Sequence, residues 1–387
     1  MRTTLLLAIF LVAAQASGAE PAAPSPHTVR VAAVQPRARS IDWHMKSPEA
    51  VLAKVDQCLT ELEGILDRAG ARHCDAVALP EDTLGLGRWE AGNEALSREV
   101  LSRAVGGMVR RFGAAAAKHR MYVVCCNDNT EADGAICNTA FLLGRDGKEI
   151  GRYRKVNLPV HESNKKRGEK FPVFRTPDLG GVGMLICYDM VFPEAARCLA
   201  LGGADIIFHP TLGGAAVGDR DISRAAFRTR AVENFVYLVV AQRGQGSMIV
   251  APQGTIIAEA QDADGLAVAD IDPRGGREGG DAMNCQRDMR ARLFRERSPS
   301  AFAILSEPNP PVLDQVAATI TEQEAVRVAQ KVLTVGEEEF QAAEALVRAG
   351  RTGEAVTAFT RLRREYHGSW IDRVAAERLK QLAPPQP

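Results

Sequence analysis

The feature that most limits how this chain can fold is the stretch from Gly181 to Pro193, GVGMLICYDMVFP. Its apolar first half predicts a buried strand that ends in Cys187. Polar residues follow the cysteine, and Pro193 opens a helical stretch in which proline suits the first turn. At such a strand-to-helix corner, backbone N–H groups and the positive helix end favour the thiolate over the thiol. We therefore expect Cys187 to occupy the position of a nucleophile.

Two other stretches support this interpretation, which needs support because a cysteine after an apolar run is more often an inert core residue. The segment VALPEDTLG, residues 77–85, places Glu81 just beyond an apolar strand. The segment GRYRKVNLP, residues 151–159, places Lys155 among strand-like residues. A carboxylate, an ammonium group and a thiol can together supply a base, a fixed positive charge and a nucleophile.

The composition is that of a globular protein with a large core. Of 387 residues, 46% are hydrophobic and 25% are charged, which is ordinary for soluble domains. Lys plus Arg and Asp plus Glu each number 48, so the charge balance gives no reason to expect nucleic acid or an anionic membrane as a partner. A small neutral substrate fits at least as well, and nothing indicates a cofactor or a metal.

Strand and helix patterns alternate along most of the chain. Val29–Gln35 predicts a first strand, residues 48–70 a helix, and Ala76–Leu79 a strand that carries Glu81 at its exit. A helix over 94–119, the strand MYVVCC and a hairpin over 136–153 follow, and the hairpin delivers Lys155. Beyond Cys187, strands near 204–209 and 236–241 flank a helix over 219–233, and short strands occupy 247–270. The pattern predicts an α/β domain with sheets inside and helices outside.

With its LPE, RK and CYD…FPE contexts in this order, the chain resembles the nitrilase (carbon–nitrogen hydrolase) superfamily. The resemblance covers roughly Val29 to Leu305 and includes RTRAVEN at 228–234 and ARLFRERSPSAF at 291–302. It implies a four-layer α-β-β-α sandwich, with residues 29–305 as the hydrolase domain.

The resemblance also implies a Glu-Lys-Cys triad and a role for each residue. Cys187 would be the nucleophile, Glu81 the general base and then acid, and Lys155 the fixed charge that holds the oxyanion together with the N–H of Tyr188. Glu162 falls where the family often places a second carboxylate, although a solvated loop glutamate is an equal alternative. We also expect Lys155 to lower the pKa of the Cys187 thiol.

Several functional interpretations remain open at this point. The CYD context resembles amidases and carbamoylases more than the CWE context of many nitrilases, so a small carboxamide or N-carbamoyl amine is the expected substrate. The alternatives are a nitrilase acting on a small nitrile and a catalytically silent partner-binding protein. A cysteine protease dyad of Cys187 with His209 is a weaker alternative, because His209 sits in the strand-end context of a pocket wall.

The first 19 residues have the three-part form of a secretory signal, with Arg2, an apolar run and a small-residue end. We expect its removal, a Pro/Ala-rich spacer over 20–28, an exported periplasmic or extracellular protein and no membrane anchor. Export is difficult to reconcile with eight cysteines that form no recognisable pattern of pairs, because oxidising compartments tend to pair thiols. No zinc or thioredoxin spacing is present, and we expect the cysteines other than Cys187 to be buried and reduced. They are Cys58, Cys74, Cys125, Cys126, Cys137, Cys198 and Cys285.

The chain changes character after the hydrolase domain. A Pro-rich linker over 306–320 precedes a charged, Ala-rich helical extension over 321–387. Its segment from Glu337 to Tyr366 predicts two amphipathic helices around a Gly-Arg turn and resembles a tetratricopeptide-type hairpin, although one unit falls short of a stable array. We expect it to pack on the hydrolase domain or a second subunit, with partner binding as the alternative, and we expect a homo-oligomer.

Overall fold

The computed structural model describes residues 27–37, 39–213, 220–275, 288–317, 320–321, 323–325, 336–367 and 370–383. In chain order the strands are β1 (Val29–Gln35), β2 (Ala76–Ala78), β3 (Tyr122–Thr130), β4 (Ile136–Leu143), β5 (Glu149–Arg154), β6 (Phe174–Thr176), β7 (Gly180–Met184), β8 (Ile206–Thr211), β9 (Tyr237–Gln242), β10 (Met248–Val250), β11 (Ile256–Glu259) and β12 (Gly265–Ile271). The helices are α1 (Pro48–Ala71), α2 (Gly87–Ala91), α3 (Glu94–His119), α4 (Pro193–Leu201), α5 (Arg220–Asn234), α6 (Met289–Arg295), α7 (Glu337–Arg348), α8 (Thr352–Glu365) and α9 (Trp370–Leu382).

The strands form two six-stranded sheets with similar layouts. The first has the order β12-β1-β2-β3-β4-β5 and the second β11-β10-β9-β8-β7-β6. In the first, β1, β2 and β3 are parallel, and in the second, β7, β8 and β9 are parallel. The remaining pairings are antiparallel. Because the carboxyl ends of parallel strands are where α/β sheets build their sites, β2, β7 and β8 are the strands to follow.

Hydrophobic layers hold the two sheets and their helices together. Side chains from both sheets, such as Val31, Val124, Val182 and Val239, are fully buried in one cluster, so the sheets pack face to face. A second cluster joins the outer side of the first sheet to α1 and α3, and a third joins the outer side of the second sheet to α4 and α5. The result is the α-β-β-α sandwich predicted from the sequence.

The sequence patterns placed most elements within a few residues of their observed bounds. The strand at Val29–Gln35, the helix over 94–119 and the hairpin of β4 and β5 are confirmed. The main difference lies at the cysteine corner, where β7 already ends at Met184 and a 3-10 turn over Cys187–Val191 precedes α4. Pro193 opens α4 as expected.

The cysteines follow the prediction with one exception. All those in the described part of the chain are free thiols, and they are buried at positions 58, 74, 125, 126 and 137. The prediction was wrong for Cys198, which is exposed. Helical periodicity explains the difference, because Ala195, Ala196, Leu199 and Ala200 form the buried face of α4 and position 198 falls outside it. Cys285 lies outside the described residues.

The helical extension packs against itself and against the sandwich. Phe340, Phe359 and Leu362 are buried with residues of α9, and Trp43, from the segment between β1 and α1, packs on the same cluster. His44 adds a polar contact, since its Nδ1 lies 2.6 Å from Asp42 Oδ1 and its Nε2 2.6 Å from Glu337 Oε1. The predicted helix pair therefore exists, with a third helix and the β1–α1 segment covering its apolar face.

Some predictions concern residues that the structure does not describe. The signal segment 1–19 and most of the 20–28 spacer lie outside the described residues, as do 326–335 in the extension. Among the described residues, none of the helices combines the length and the hydrophobicity that crossing a membrane requires.

The buried position of Phe359 predicts how the extension responds to a cavity. Phe359→Ala should cost about 3–5 kcal/mol, and because such a small helical unit is only marginally stable, the extension should unfold locally while the sandwich persists. Hydrogen exchange resolved by region measures this. Thr360→Ala, at the exposed neighbouring position, is the matched control and should leave protection unchanged. Equal loss of protection in both units would contradict an independently unfolding extension.

Candidate active site

The corner that carries Cys187 has an unusual backbone conformation. Cys187 has a φ of 42°, in the left-handed region that residues other than glycine rarely adopt. Leu185 still donates a backbone hydrogen bond to the Phe208 carbonyl of β8, 3.0 Å away, so the strand pairing extends to the edge of the corner. Such strained conformations persist only when the surroundings hold them, and they are concentrated at functional sites.

The buried carboxylate of Asp189 holds this corner against the segment that carries Lys155. Its Oδ2 accepts hydrogen bonds from the backbone N–H of Ile186 at 3.0 Å and from the Tyr153 hydroxyl at 2.6 Å. Its Oδ1 accepts from the backbone and side-chain nitrogens of Asn157, at 2.9 and 3.0 Å. Because Tyr153 and Asn157 bracket Lys155, Asp189 fixes the lysine segment and the cysteine turn relative to each other. Burial raises the pKa of Asp189, although these donors act in the opposite direction.

Glu81, Lys155 and Glu162 form a buried chain of charges. Lys155 Nζ lies 3.2 Å from Glu81 Oε1 and 3.0 Å from Glu162 Oε1. The Lys155 side chain is only 1% exposed and the Glu81 side chain 3%. Two further donors satisfy Glu81: Asn138 Nδ2 reaches Oε1 at 2.8 Å, and the backbone N–H of Leu212 reaches Oε2 at 3.2 Å. Buried charges persist when they are paired and hydrogen-bonded in this way.

The electrostatic balance keeps Glu81 and Lys155 ionised. Burial disfavours the charged form of Glu81, but the ammonium group of Lys155 and the hydrogen bond from Asn138 outweigh it and lower the pKa of Glu81. Burial likewise opposes the charge of Lys155, and the carboxylates of Glu81 and Glu162 raise the pKa of Lys155 well above its usual value. Lys155 is therefore a permanent cation, and Glu81 is a carboxylate able to accept a proton.

The thiol of Cys187 behaves differently from the sequence-based expectation. Burial and the carboxylate of Glu81 raise the pKa of Cys187 to about 12, and the opposing effect of Lys155 is too small to reverse this. Lys155 lowers the pKa of the thiol as expected, but burial and then the carboxylate of Glu81 outweigh it, so the net expectation of a stabilised thiolate was wrong. Cys187 therefore holds its proton at neutral pH, and Glu81 and Thr211 line the same cavity.

These groups open into one cavity of about 550 Å³. Its walls include Glu81, Lys155, Glu162, Cys187 and Tyr188, so the structure brings together every site residue that the sequence singled out. The ring of Tyr188 packs edge-on against Phe192, with centroids 5.4 Å apart. Within the described ranges, no group of three or more His, Cys, Asp or Glu side chains is placed to hold a metal ion.

His209 also lines the cavity but has a different environment from that of a catalytic base. Its Nδ1 lies 3.3 Å from the carbonyl of Leu185, and its ring faces Phe227 with centroids 5.5 Å apart. Burial lowers the pKa of His209 to about 4. The histidine is neutral at physiological pH and packs into the wall, which favours Glu81 over His209 as the proton acceptor for Cys187.

Sequence reasoning missed the residues that orient the charged groups. Asn138 falls within the predicted hairpin and Asp189 within the CYD context, and the sequence singled out neither. A polar Asn138 in the otherwise apolar run ICNTAFLL is a signal that could have been used, because a buried amide needs a partner. Which carboxylate it would serve depends on a contact across β2 and β4.

Known proteins are similar to this chain in sequence. The family model described as carbon–nitrogen hydrolase matches residues 30–278. The deaminated glutathione amidase of Synechocystis sp. (strain PCC 6803 / GT-S) is 32% identical over 241 residues, which are 56% of this chain and 86% of that protein. The N-carbamoylputrescine amidase of Arabidopsis thaliana is 31% identical over 204 residues, 45% of this chain and 65% of that protein.

A solved structure shares the fold. It is a mutant of the amidase from Nesterenkonia sp. AN1 showing covalent addition of the acetamide moiety of fluoroacetamide at the active site cysteine. Its TM-score is 0.56 at 23% sequence identity, and the match covers 73% of this chain and 99% of that one. The likeness supports the fold described above.

The raised pKa of Cys187 yields a titration test. Glu81→Gln removes the charge that helps to raise the thiol pKa while leaving Lys155 in place, so the pKa of Cys187 should fall. The pKa of Cys187 is measured by following thiolate absorbance or alkylation rate against pH in a protein in which all cysteines except Cys187 are replaced. Asp133→Asn, which removes an exposed carboxylate paired with Lys166, is the control and should leave the titration unchanged. A thiol pKa that rises or stays constant in Glu81→Gln would contradict the assigned electrostatics.

Proposed function

The chain belongs to the carbon–nitrogen hydrolase family, and from this we propose that it hydrolyses small carboxamides or N-carbamoyl amines through a Cys187 thioester. One observation carries the proposal: the Glu81 carboxylate contacts both the Lys155 ammonium group and the Cys187 thiol inside one cavity. Family relatives named as amidases of deaminated glutathione and of N-carbamoylputrescine support this substrate range.

Acylation begins with the neutral thiol that the electrostatics impose. Glu81 accepts the proton of Cys187 as the sulfur bonds to the carbonyl carbon and the carbonyl oxygen becomes an oxyanion. Glu81 then gives this proton to the departing nitrogen, the C–N bond breaks, and ammonia or an amine leaves. A carboxylate with a lowered pKa next to a thiol with a raised pKa requires this transfer to occur as the S–C bond forms.

Deacylation reverses the roles with water as the nucleophile. Glu81 accepts a proton from water as the oxygen bonds to the thioester carbon, and the carboxylic acid forms when the C–S bond breaks. The proton held by Glu81 then returns to the sulfur of Cys187. The resting state is restored, and the net reaction consumes one water for each C–N bond cleaved.

Lys155 supplies the charge that the oxyanion needs. Its raised pKa keeps it protonated throughout the cycle, so it acts by electrostatics and not by proton transfer. The backbone N–H of Tyr188, the residue after the nucleophile, is the second donor in this proposal. Lys155 Nζ contacts Glu162 as well as Glu81, and in this proposal Glu162 positions the ammonium group.

Substitution of the triad tests the mechanism. Cys187→Ala, Glu81→Gln and Lys155→Ala should each reduce kcat by about a hundredfold or more without unfolding the chain, because each removes a group used in the transition state. Cys187→Ser should not restore turnover, since a hydroxyl is a much weaker nucleophile at this base. Ammonia release from aliphatic amides, ω-amides, N-carbamoyl amino acids and nitriles measures activity and identifies the subclass.

Cys198→Ala is the matched control, because Cys198 is an exposed cysteine on α4 outside the cavity. It should retain wild-type turnover and melting. Near wild-type activity in Cys187→Ala would refute the thioester mechanism. Absence of turnover on the entire panel by the wild-type protein would favour a silent binding protein.

Export is a separate part of the proposal and rests on the form of residues 1–19. Burial reconciles it with the free thiols of Cys58 and Cys74, since it raises the pKa of Cys58 to about 12 and that of Cys74 to about 11, which leaves little thiolate to oxidise. Sequencing the N-terminus of protein from the native cell should give a start near residue 17 or 20 of the printed sequence. A cytoplasmic protein that begins at Met1 would contradict it.

A further inference from the structure

The turn that follows Glu81 has a backbone conformation that needs support from its surroundings. Asp82, the next residue, has a φ of 48°, in the left-handed region that residues other than glycine rarely adopt, although aspartate does so more readily than most. Its carbonyl accepts a hydrogen bond from the backbone N–H of Gly85 at 2.9 Å, and its Oδ1 accepts one from that of Gly87 at 3.0 Å. The chain therefore turns directly after the residue that acts as the base in the proposed reaction.

Arg243 binds this turn from the other sheet. It directly follows β9 of the second sheet, whereas Asp82 lies beyond the end of β2 of the first. Its Nη2 donates to the Asp82 carbonyl at 2.8 Å and lies 2.6 Å from Asp82 Oδ2, so one nitrogen contacts both the backbone and the side chain of the same residue. Both side chains are only 15% exposed. Hydrogen bonds between ionised groups are roughly twice as strong as neutral ones, so the guanidinium group holds the turn firmly.

The backbone of Arg243 contacts a second segment that holds Glu81. The backbone N–H of Leu212 donates to Glu81 Oε2 at 3.2 Å. Leu212 directly follows Thr211, whose carbonyl accepts a hydrogen bond from the backbone N–H of Arg243 at 3.3 Å. Arg243 therefore contacts Asp82 through its side chain and the strand end beside Leu212 through its backbone, and these two segments are the ones that fix the backbone and one carboxylate oxygen of Glu81.

We propose that Arg243 is a positioning residue for the amide-cleaving reaction, which fixes the Glu81 carboxylate in the cavity by holding the turn after Glu81 against the second sheet. This inference rests on the proposed amide hydrolysis. Arg243 does not line the cavity, so it acts through Glu81 and not on the substrate. The simpler alternative is that the pair of Arg243 and Asp82 only stabilises the fold. The two differ in what they predict for Glu81, because a purely stabilising pair could be removed without moving the carboxylate of the folded protein.

Arg243→Met tests the proposal through the kinetics of ammonia release. Without the guanidinium group the turn at Asp82 loses its support and Glu81 shifts, and a misplacement of about 1 Å can lower a rate by about a hundredfold. We expect kcat to fall by about ten- to a hundredfold and KM to change by less than about threefold, because the cavity walls that bind the substrate are unchanged. In a Glu81→Gln background Arg243→Met should have no further effect, since the group that it positions has already lost its function.

Arg290→Met is the matched control. Arg290 also joins a carboxylate and a backbone carbonyl, since its Nη1 lies 2.5 Å from Asp205 Oδ1 and its Nη2 donates to the Ala204 carbonyl at 2.5 Å. Its side chain is 9% exposed, but it binds the segment that leads into β8, at the end of the strand away from Thr211, and it does not line the cavity. Arg290→Met should lower the melting temperature and leave kcat unchanged. An equal loss of kcat in Arg290→Met and Arg243→Met would reduce the effect to lost stability and overturn the proposal.

Hydrogen exchange at the Leu212 amide measures the position of Glu81 without any turnover. This N–H is protected by its hydrogen bond to Glu81 Oε2, so Glu81→Ala gives the exchange rate of the unbound amide. Arg243→Met should raise the exchange rate of the Leu212 amide toward that value, and Arg290→Met should leave it at the wild-type rate. If Arg243→Met melts below the assay temperature, Arg243→Gln replaces it: its amide is uncharged and too short to reach Asp82, so kcat and the protection of Leu212 should fall in the same way.

The two measurements separate this inference from the proposed function. If the wild type hydrolyses no amide while Leu212 loses its protection in the Arg243 variant, the proposed function fails and the positioning of Glu81 by Arg243 stands. If amides are hydrolysed but the Arg243 variant keeps either the wild-type kcat or the wild-type protection of Leu212, only the role of Arg243 fails.

Discussion

The buried ion pair between Lys155 and Glu81 is the interaction on which the rest of the site depends. Removing two charges from water costs several kcal/mol for each ion, and close pairing with further hydrogen bonds must offset this cost. Here Glu162, Asn138 and the Leu212 backbone complete the pairing. Strand ends from both sheets must therefore meet at one point, which ties the stacking of the sandwich to the chemistry of the cavity.

The thiol follows from this charge arrangement. A cysteine beside a lone cation would ionise readily, but here burial and the carboxylate of Glu81 raise the pKa of Cys187 by more than Lys155 lowers it. The protein therefore holds a neutral Cys187 thiol and an ionised Glu81 carboxylate in the same cavity. Asp189 maintains this arrangement by binding the cysteine turn and the lysine segment to one carboxylate.

The helical extension relates to the hydrolase domain through a different kind of contact. Its apolar stripes are covered by each other, by α9 and by Trp43, and the polar contact of His44 with Glu337 lies beside them. Buried apolar contacts of this kind stabilise the extension. The proposed mechanism uses none of the extension's residues. The residues that line the cavity all belong to the sandwich.

The sequence by itself determined the elements of the sandwich, because strand and helix periodicities are local patterns. The LPE, RK and CYD…FPE contexts, through the resemblance to the nitrilase superfamily, also singled out Glu81, Lys155 and Cys187, and the structure places all three in one cavity. Only the tertiary structure decided their protonation, because a pKa depends on burial and on neighbours distant in the chain, as in the reversal at Cys187. The same reason hid the role of Asn138, whose contact with Glu81 exists only once the strands pack together.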